Sequence, residues 1–207
     1  LSEMQGETYR IGAALQVEGE LDEGALRRAL KQLTERQSSL RMNIRDGVAV
    51  LREPYDPLEE EEIGRPFDLA KDALFRVRLS GGVLEFALHH IIADGWSLGI
   101  LVRELGELYA AAKEGRKAKL EPLLVEYGDY AAWQRRMLDG GGREKELEYW
   151  KKELGDEHPI LELSGGKPRA AEQSHEGERL SFELGGALTR GLVELCRERG
   201  VTVFMAL

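Results

Sequence analysis

The run from Val83 to Leu108 changes its periodicity once, and that change restricts the fold more than any other feature of the 207-residue sequence. Val83 to Leu88 is an apolar stretch of strand length, separated from a similar run at Leu74 to Leu79 by Ser80-Gly81-Gly82. Glycines at such a junction supply the positive φ angles of a tight hairpin. The strand runs straight into His89 and His90, and Asp94-Gly95 then marks a turn. Beyond Gly95 the apolar residues Leu98, Leu101, Leu105 and Leu108 recur at three and four, one face of a helix that fades near Lys113. A hairpin feeding an amphipathic helix calls for a mixed sheet covered by helices, an α/β or α+β fold.

The remaining pattern agrees. Tyr9 to Val17 reads as a strand. A helix is expected from Asp22, its N-cap, to Gln37, with Leu26, Leu30 and Leu33 on one face. Asp46-Gly47 is a strong hairpin signal between Leu40–Arg45 and Val48–Arg52. Glu59 to Glu62 reads as a solvated turn or loop, and Pro66 breaks any helix across Arg65 to Leu69. Helices are expected at Tyr127 to Met137 and Arg143 to Glu153, separated by Gly140-Gly141-Gly142. Leu180 to Leu184 reads as a strand and Gly186 to Arg199 as a helix, before an apolar run at Val203 to Leu207.

Composition removes several function classes. The formal charge of −9 argues against a nucleic-acid binder, which needs clustered positive charge. No stretch of about 18 apolar residues is available to span a membrane. No basic segment followed by an apolar run opens the chain, and Leu1 stands where an initiator Met would, as in a piece of something longer. Cys196 is the single cysteine, which excludes an internal disulfide and suits a reducing cytoplasm.

Adjacent histidines at the end of a strand point to opposite faces, so one can meet a cleft while the other is buried. Imidazole titrates near neutral pH, which suits a general base held at the rim of a sheet. A buried structural histidine is the plain alternative. A metal site is poorly supplied, because only His90 and Asp94 are at hand. A serine triad lacks its Gly-x-Ser-x-Gly elbow. From spacing alone, catalysis and structure stay equally open.

The segment His89-His90-Ile91-Ile92-Ala93-Asp94-Gly95-Trp96-Ser97 resembles the His-His-x-x-x-Asp-Gly signature of nonribosomal peptide synthetase condensation domains. Tyr127-Gly-Asp129-Tyr130-Ala-Ala-Trp133-Gln134 is similar to the family's next block. Arg36-Gln-Ser-Ser-Leu40-Arg41 resembles an earlier one, with Gln37 where a histidine is usual. Pro66-Phe67-Asp68-Leu69, Tyr149-Trp150 and Lys167-Pro168-Arg169 fall in the family's order. The family's first motif would precede Leu1, and Arg52 to Arg65 and the Gly81-Gly82 turn are shorter than in the family. The resemblance implies a chloramphenicol-acetyltransferase-like lobe over residues 1–200, with 201–207 beginning the connection to a second, C-terminal lobe.

The resemblance also implies a chemistry. A donor acyl or peptidyl group and an acceptor amino acid arrive as thioesters on the phosphopantetheine arms of two carrier proteins, with no cofactor bound directly. The acceptor amine attacks the donor thioester and forms a peptide bond, as in the biosynthesis of antibiotics and other secondary metabolites. The implied site consists of His90 as base and positioner of the amine, with His89, Asp94 and Gly95. Asp94 is expected to turn away from substrate into a buried pair with Arg41, and Gly95 to allow a close approach that a Cβ would obstruct. His89 is expected to be a buried hydrogen-bonding residue, and Trp96 and Ser97 to shape the substrate tunnel. Trp133 is expected to be a packing anchor and Cys196 a small core residue. The expected partners are donor and acceptor carrier proteins, the C-terminal lobe and an adenylation domain, without nucleic acid or membrane. Lys113, Arg116, Lys117 and Lys119, or Arg27-Arg28-Lys31, are candidates for steering acidic carriers.

Rivals are a stand-alone acyltransferase using coenzyme A or an alcohol, an epimerisation domain, and a non-catalytic module that recruits carrier proteins or tailoring enzymes. The first two differ from this sequence around the doubled histidine and after Asp94-Gly95. Recruitment modules tend to lose the second histidine, which is present here as His90.

Overall fold

The computed structural model describes residues 9–157, 178 and 180–207. They belong to two compact units, of which the first contains all the described strands.

In the first unit, β1 (Arg10–Gln16), β5 (Val83–His89) and β4 (Phe75–Ser80) form an antiparallel sheet in that order. The pleat lays apolar residues in three rows across it. Ile11 faces Leu88 and Leu88 faces Phe75; Ala13, Phe86 and Val77 form the next row, and Leu15, Leu84 and Leu79 the third. Gly81 and Gly82 join β4 to β5 with φ of +56° and +78°, the two positive values that a two-residue I′ loop requires. A single parallel bridge, Leu58 to Val77, adds to the other edge of β4. The second hairpin, β2 (Met42–Arg45) and β3 (Val48–Leu51), turns at Asp46 and Gly47 as expected. A 3-10 turn at Ser38–Arg41 occupies the expected start of β2.

Helix α1 (Glu23–Arg36) begins as its sequence requires, with Asp22 Oδ1 accepting the Ala25 N–H at 2.8 Å. Its Leu26, Leu30 and Leu33 enter one buried cluster with Leu101, Leu105 and Leu108 of α2 (Gly95–Glu114) and the inner residues of the sheet. α2 stops at Gly115, whose φ of +66° lets the chain leave the helix.

The opposite face of the sheet carries Arg76, Ala87 and His89, and the Pro66-to-Leu69 segment covers it. Arg76 is only 2% exposed. Its guanidinium lies 4.1 Å from the centroid of the Phe67 ring, pairs with Asp72 at 2.9 Å, and donates to the Arg65 and Pro66 carbonyls at 2.8 and 3.3 Å. This one cation therefore holds the covering loop by its ring, its backbone and its carboxylate.

Helices α3 (Tyr127–Met137) and α4 (Arg143–Leu154) are joined by a π-type turn, Leu138–Gly142, in which Gly141 has φ +99°. Neither helix has a buried residue among those described. Trp133 is thus not the expected packing anchor: it is 53% exposed and its ring meets Tyr130 of its own helix at 5.8 Å. An aromatic on an amphipathic helix predicts burial, but the described residues supply nothing to bury it against.

In the second unit, α5 (Gly186–Arg199) ends at Gly200 in the left-handed region, and one further turn, α6 (Val203–Ala206), follows. Cys196 is buried there, as expected, with Sγ 3.7 Å from the Thr202 carbonyl. The expected strand at Leu180 to Leu184 does not form: no strand pairing is present among its described residues, and Leu180 and Phe182 are exposed. A strand without a partner leaves its backbone groups to water. Among the described residues, no helix is long and apolar enough to cross a membrane.

Candidate active site

The end of β5 is fixed from several directions. His89, 1% exposed, stacks on the Tyr9 ring at 6.2 Å and meets the Phe67 ring edge-on at 6.0 Å. Its backbone N–H donates to the Leu74 carbonyl at 3.0 Å. Past His89 the chain leaves the ladder, and the amides of the turn need other acceptors. His89 supplies two of them, its carbonyl for Ile92 N–H and its ring Nδ1 for Ile91 N–H, both at 3.0 Å. An imidazole nitrogen that accepts carries no proton, so this ring's proton stands on Nε2. His89 thus builds the turn, in agreement with its expected buried, hydrogen-bonding role.

His90 is anchored by its backbone, whose N–H donates to the Tyr9 carbonyl at 2.7 Å, while its side chain is exposed. Strand alternation places the two rings as the sequence predicts. His90 borders a cavity of about 350 Å³ walled by the Ile91–Asp94 loop, Ser97, Ser39 and Tyr127.

Asp94 departs from expectation. It is exposed and serves as the N-cap of α2, with Oδ1 accepting from Ser97 N–H at 2.8 Å and Ser97 Oγ at 2.6 Å. The Asp94 N–H donates back to Ser97 Oγ at 3.2 Å, completing a capping box. The Ser97 hydroxyl, then the Ser97 amide, hold the Asp94 carboxyl below the usual carboxylate range. Its expected partner Arg41 lies elsewhere, donating to the Arg52 carbonyl at 2.8 Å across the β2–β3 hairpin. The Asp94–Arg41 pair is therefore absent from this structure. A short acid one residue before a helix finds the helix amides before it finds a distant arginine.

The other expected site residues divide. Ser97 borders the cavity, whereas Trp96, 83% exposed on the first turn of α2, lies outside its wall. Gly95 opens α2, and a Cβ there would meet no atom within 4 Å. Any close approach that favours glycine is thus not to another part of the described chain. Ser39 and Tyr127 escape sequence reasoning as site residues, because only the fold brings the 3-10 turn and α3 to this cavity. Their one signal is their place in the Arg36-to-Arg41 and Tyr127-to-Gln134 blocks.

With Asp94 and Ser97 bound to each other, and the Asp94 carboxyl held low, His90 is the side chain on this cavity suited to proton transfer near neutral pH. Among the described residues its ring has no hydrogen-bond partner. No cluster of three or more His, Cys, Asp or Glu able to hold a metal occurs among the described residues.

The Condensation domain family matches residues 51–207. The chain belongs to that family. One of the linear gramicidin synthase proteins of Brevibacillus parabrevis is 38% identical over an alignment of 229 residues that covers 96% of this chain and 3% of that protein. Because the alignment is longer than the chain, this relative carries residues within the aligned span that the chain lacks. The X-domain from teicoplanin biosynthesis, also solved in complex with OxyB, superposes with a TM-score of 0.81 at 26% identity, covering 96% of this chain and 51% of that one. VibH, an NRPS condensation enzyme, shares the fold with a TM-score of 0.70 at 17% identity, over 98% of this chain and 52% of that one. The chain thus spans about half the length of these solved condensation-domain structures and a small part of the gramicidin synthase protein. The expected chloramphenicol-acetyltransferase-like α/β fold is the one found.

Proposed function

We propose that this chain is the N-terminal lobe of a condensation domain that forms a peptide bond between two carrier-bound thioesters, and that His90 is its acting base. The observation that carries the reading is the exposed His90 imidazole beside a cavity, without a hydrogen-bond partner among the described residues, on a turn whose Ile91 and Ile92 amides His89 accepts. The acceptor amine attacks the donor thioester carbonyl, the C–N bond forms and the C–S bond breaks. The amine's proton passes to His90 and then to the leaving thiolate. An α-amine with a pKa near 8 is already partly neutral at cellular pH, so proton removal is a modest task and positioning counts for as much. Asp94 acts through the backbone here, fixing the start of α2 beside the histidine turn.

The phosphopantetheine arms of donor and acceptor carrier proteins would deliver both substrates, and a second lobe would complete the cleft. Of the basic residues considered for carrier steering, Arg116 is already engaged by Glu107 and Glu114, and Arg27 by Glu23 and Asp56. The likeness to the X-domain favours one second reading, a recruitment module. Retention of His90 speaks for catalysis. An assay with two loaded carrier proteins, run on this chain alone and with a second lobe added, tests the proposal. Amide product in the complemented reaction is expected. Its absence there, with OxyB-type partner binding instead, would favour recruitment.

A further inference from the structure

We infer that the apolar cavity between the β2–β3 hairpin and the first turn of α3 is a subsite for the apolar side chain or short acyl tail of a thioester substrate; this rests on the acyl-transfer reading above. The cavity measures about 320 Å³. Met42, Ala49 and Leu51 form its hairpin wall and Tyr127 and Gly128 its helix wall. Ser39 and Tyr127 are common to this cavity and to the His90 cavity, so the two spaces abut across those side chains. A thioester carbonyl placed beside His90 can therefore extend its substituent past Tyr127.

The lining selects the chemistry. Leu51 is 57% exposed, so the hairpin offers apolar surface here that the core does not use. Two polar pairs at the start of α3 are made within the helix: Asp129 Oδ2 accepts the Glu126 N–H at 3.0 Å, and the Asp129 N–H donates to the Glu126 carbonyl at 3.1 Å. Most of what faces the space is hydrocarbon, with Ser38, Ser39, Glu126 and Asp129 adding polar groups to its wall, and apolar substrate surface gains by leaving water for the hydrocarbon part. Each cavity lies at the lower end of the roughly 300–1,000 Å³ typical of small-molecule sites. That volume suits a substituent of leucine or phenylalanine size. A Cβ built on Gly128 meets nothing within 4 Å, so a side chain can start there, on the cavity's helix wall, without a clash at its first atom.

The test titrates the full 207-residue chain, followed by the NMR signal of the Met42 methyl, with N-acetylcysteamine thioesters of acetate and of 4-methylpentanoate. The branched ester should bind at least tenfold more tightly and shift the Met42 signal. Gly128→Leu should bring that ratio close to one, with helical circular dichroism undiminished because leucine is the better helix former. Leu51→Asp, at an exposed position, should do the same and guards against misfolding of the first variant. Equal affinities in the native chain, or a preference that survives both substitutions, would overturn the subsite. A native preference without His90-dependent product from loaded carriers would instead remove the catalytic reading and leave the subsite standing.

Discussion

Replacing Arg76 with methionine tests whether the loop behind the histidine pair is held by one buried cation. Methionine keeps most of the side-chain volume and removes the fork. Lost with it are the Asp72 pair at 2.9 Å, the Arg65 carbonyl bond at 2.8 Å, the weaker Pro66 bond at 3.3 Å and the contact over Phe67. Hydrogen bonds to charged groups contribute about 1.5–3 kcal/mol each and a partly desolvated cation–π contact about 1–2 kcal/mol. Burial works against this sum: desolvation is the first cause lowering the Arg76 pKa, and a methionine escapes that penalty. Asp72 is about one-third exposed, so water can take over its charge when the arginine is gone. The expected net loss is about 2–3 kcal/mol, below the ~3–5 kcal/mol that follows when a fully buried partner is abandoned. Equilibrium urea unfolding measures it, and a cycle with Phe67→Leu should give a coupling of about 0.5–2 kcal/mol. Because Phe67 packs on His89, the His89 ring ¹⁵N signals should shift as well. A loss under about 0.5 kcal/mol with unshifted His89 signals would refute the clamp.

Asp94→Ala should destabilise the start of α2 and Asp94→Asn should restore it, since both follow from the Ser97 cap. Combination with Arg41→Met should be additive in urea unfolding, and strong coupling would revive the ion pair. Glu107, held down to about 2 first by the Arg116 hydrogen bond, contributes stability above the ordinary glutamate range that is lost as pH falls from about 4.5 through about 2. Glu107→Gln should flatten that acid limb of the urea midpoint, and an unchanged profile would count against the pairing.

Much of the fold was legible because it rests on short-range rules. The two glycine hairpins, the Asp22 cap and the leucine stripes of α1 and α2 require no knowledge of distant contacts. The same local rules set His89 and His90 on opposite faces, and the resemblance said which of them is buried. What escaped is long-range. Arg76 reads as an ordinary strand residue until the Phe67 loop folds over it. Tyr55, whose hydroxyl reaches the Leu40 and Phe75 carbonyls at 3.1 Å, carries no sequence signal at all. The Asp94–Arg41 pairing was borrowed from the resemblance, and here the nearer Ser97 prevailed. Trp133 read as a packing anchor because a helix position reports a face, not what covers it.

The central claim is that His90 acts and His89 builds. The most direct measurement is product formation from two loaded carrier proteins by the complete domain carrying His90→Ala, with the native domain in parallel. The expected result is a sharp loss of amide product with an unchanged circular dichroism spectrum and urea midpoint. Native product yield from the folded His90→Ala domain would contradict it.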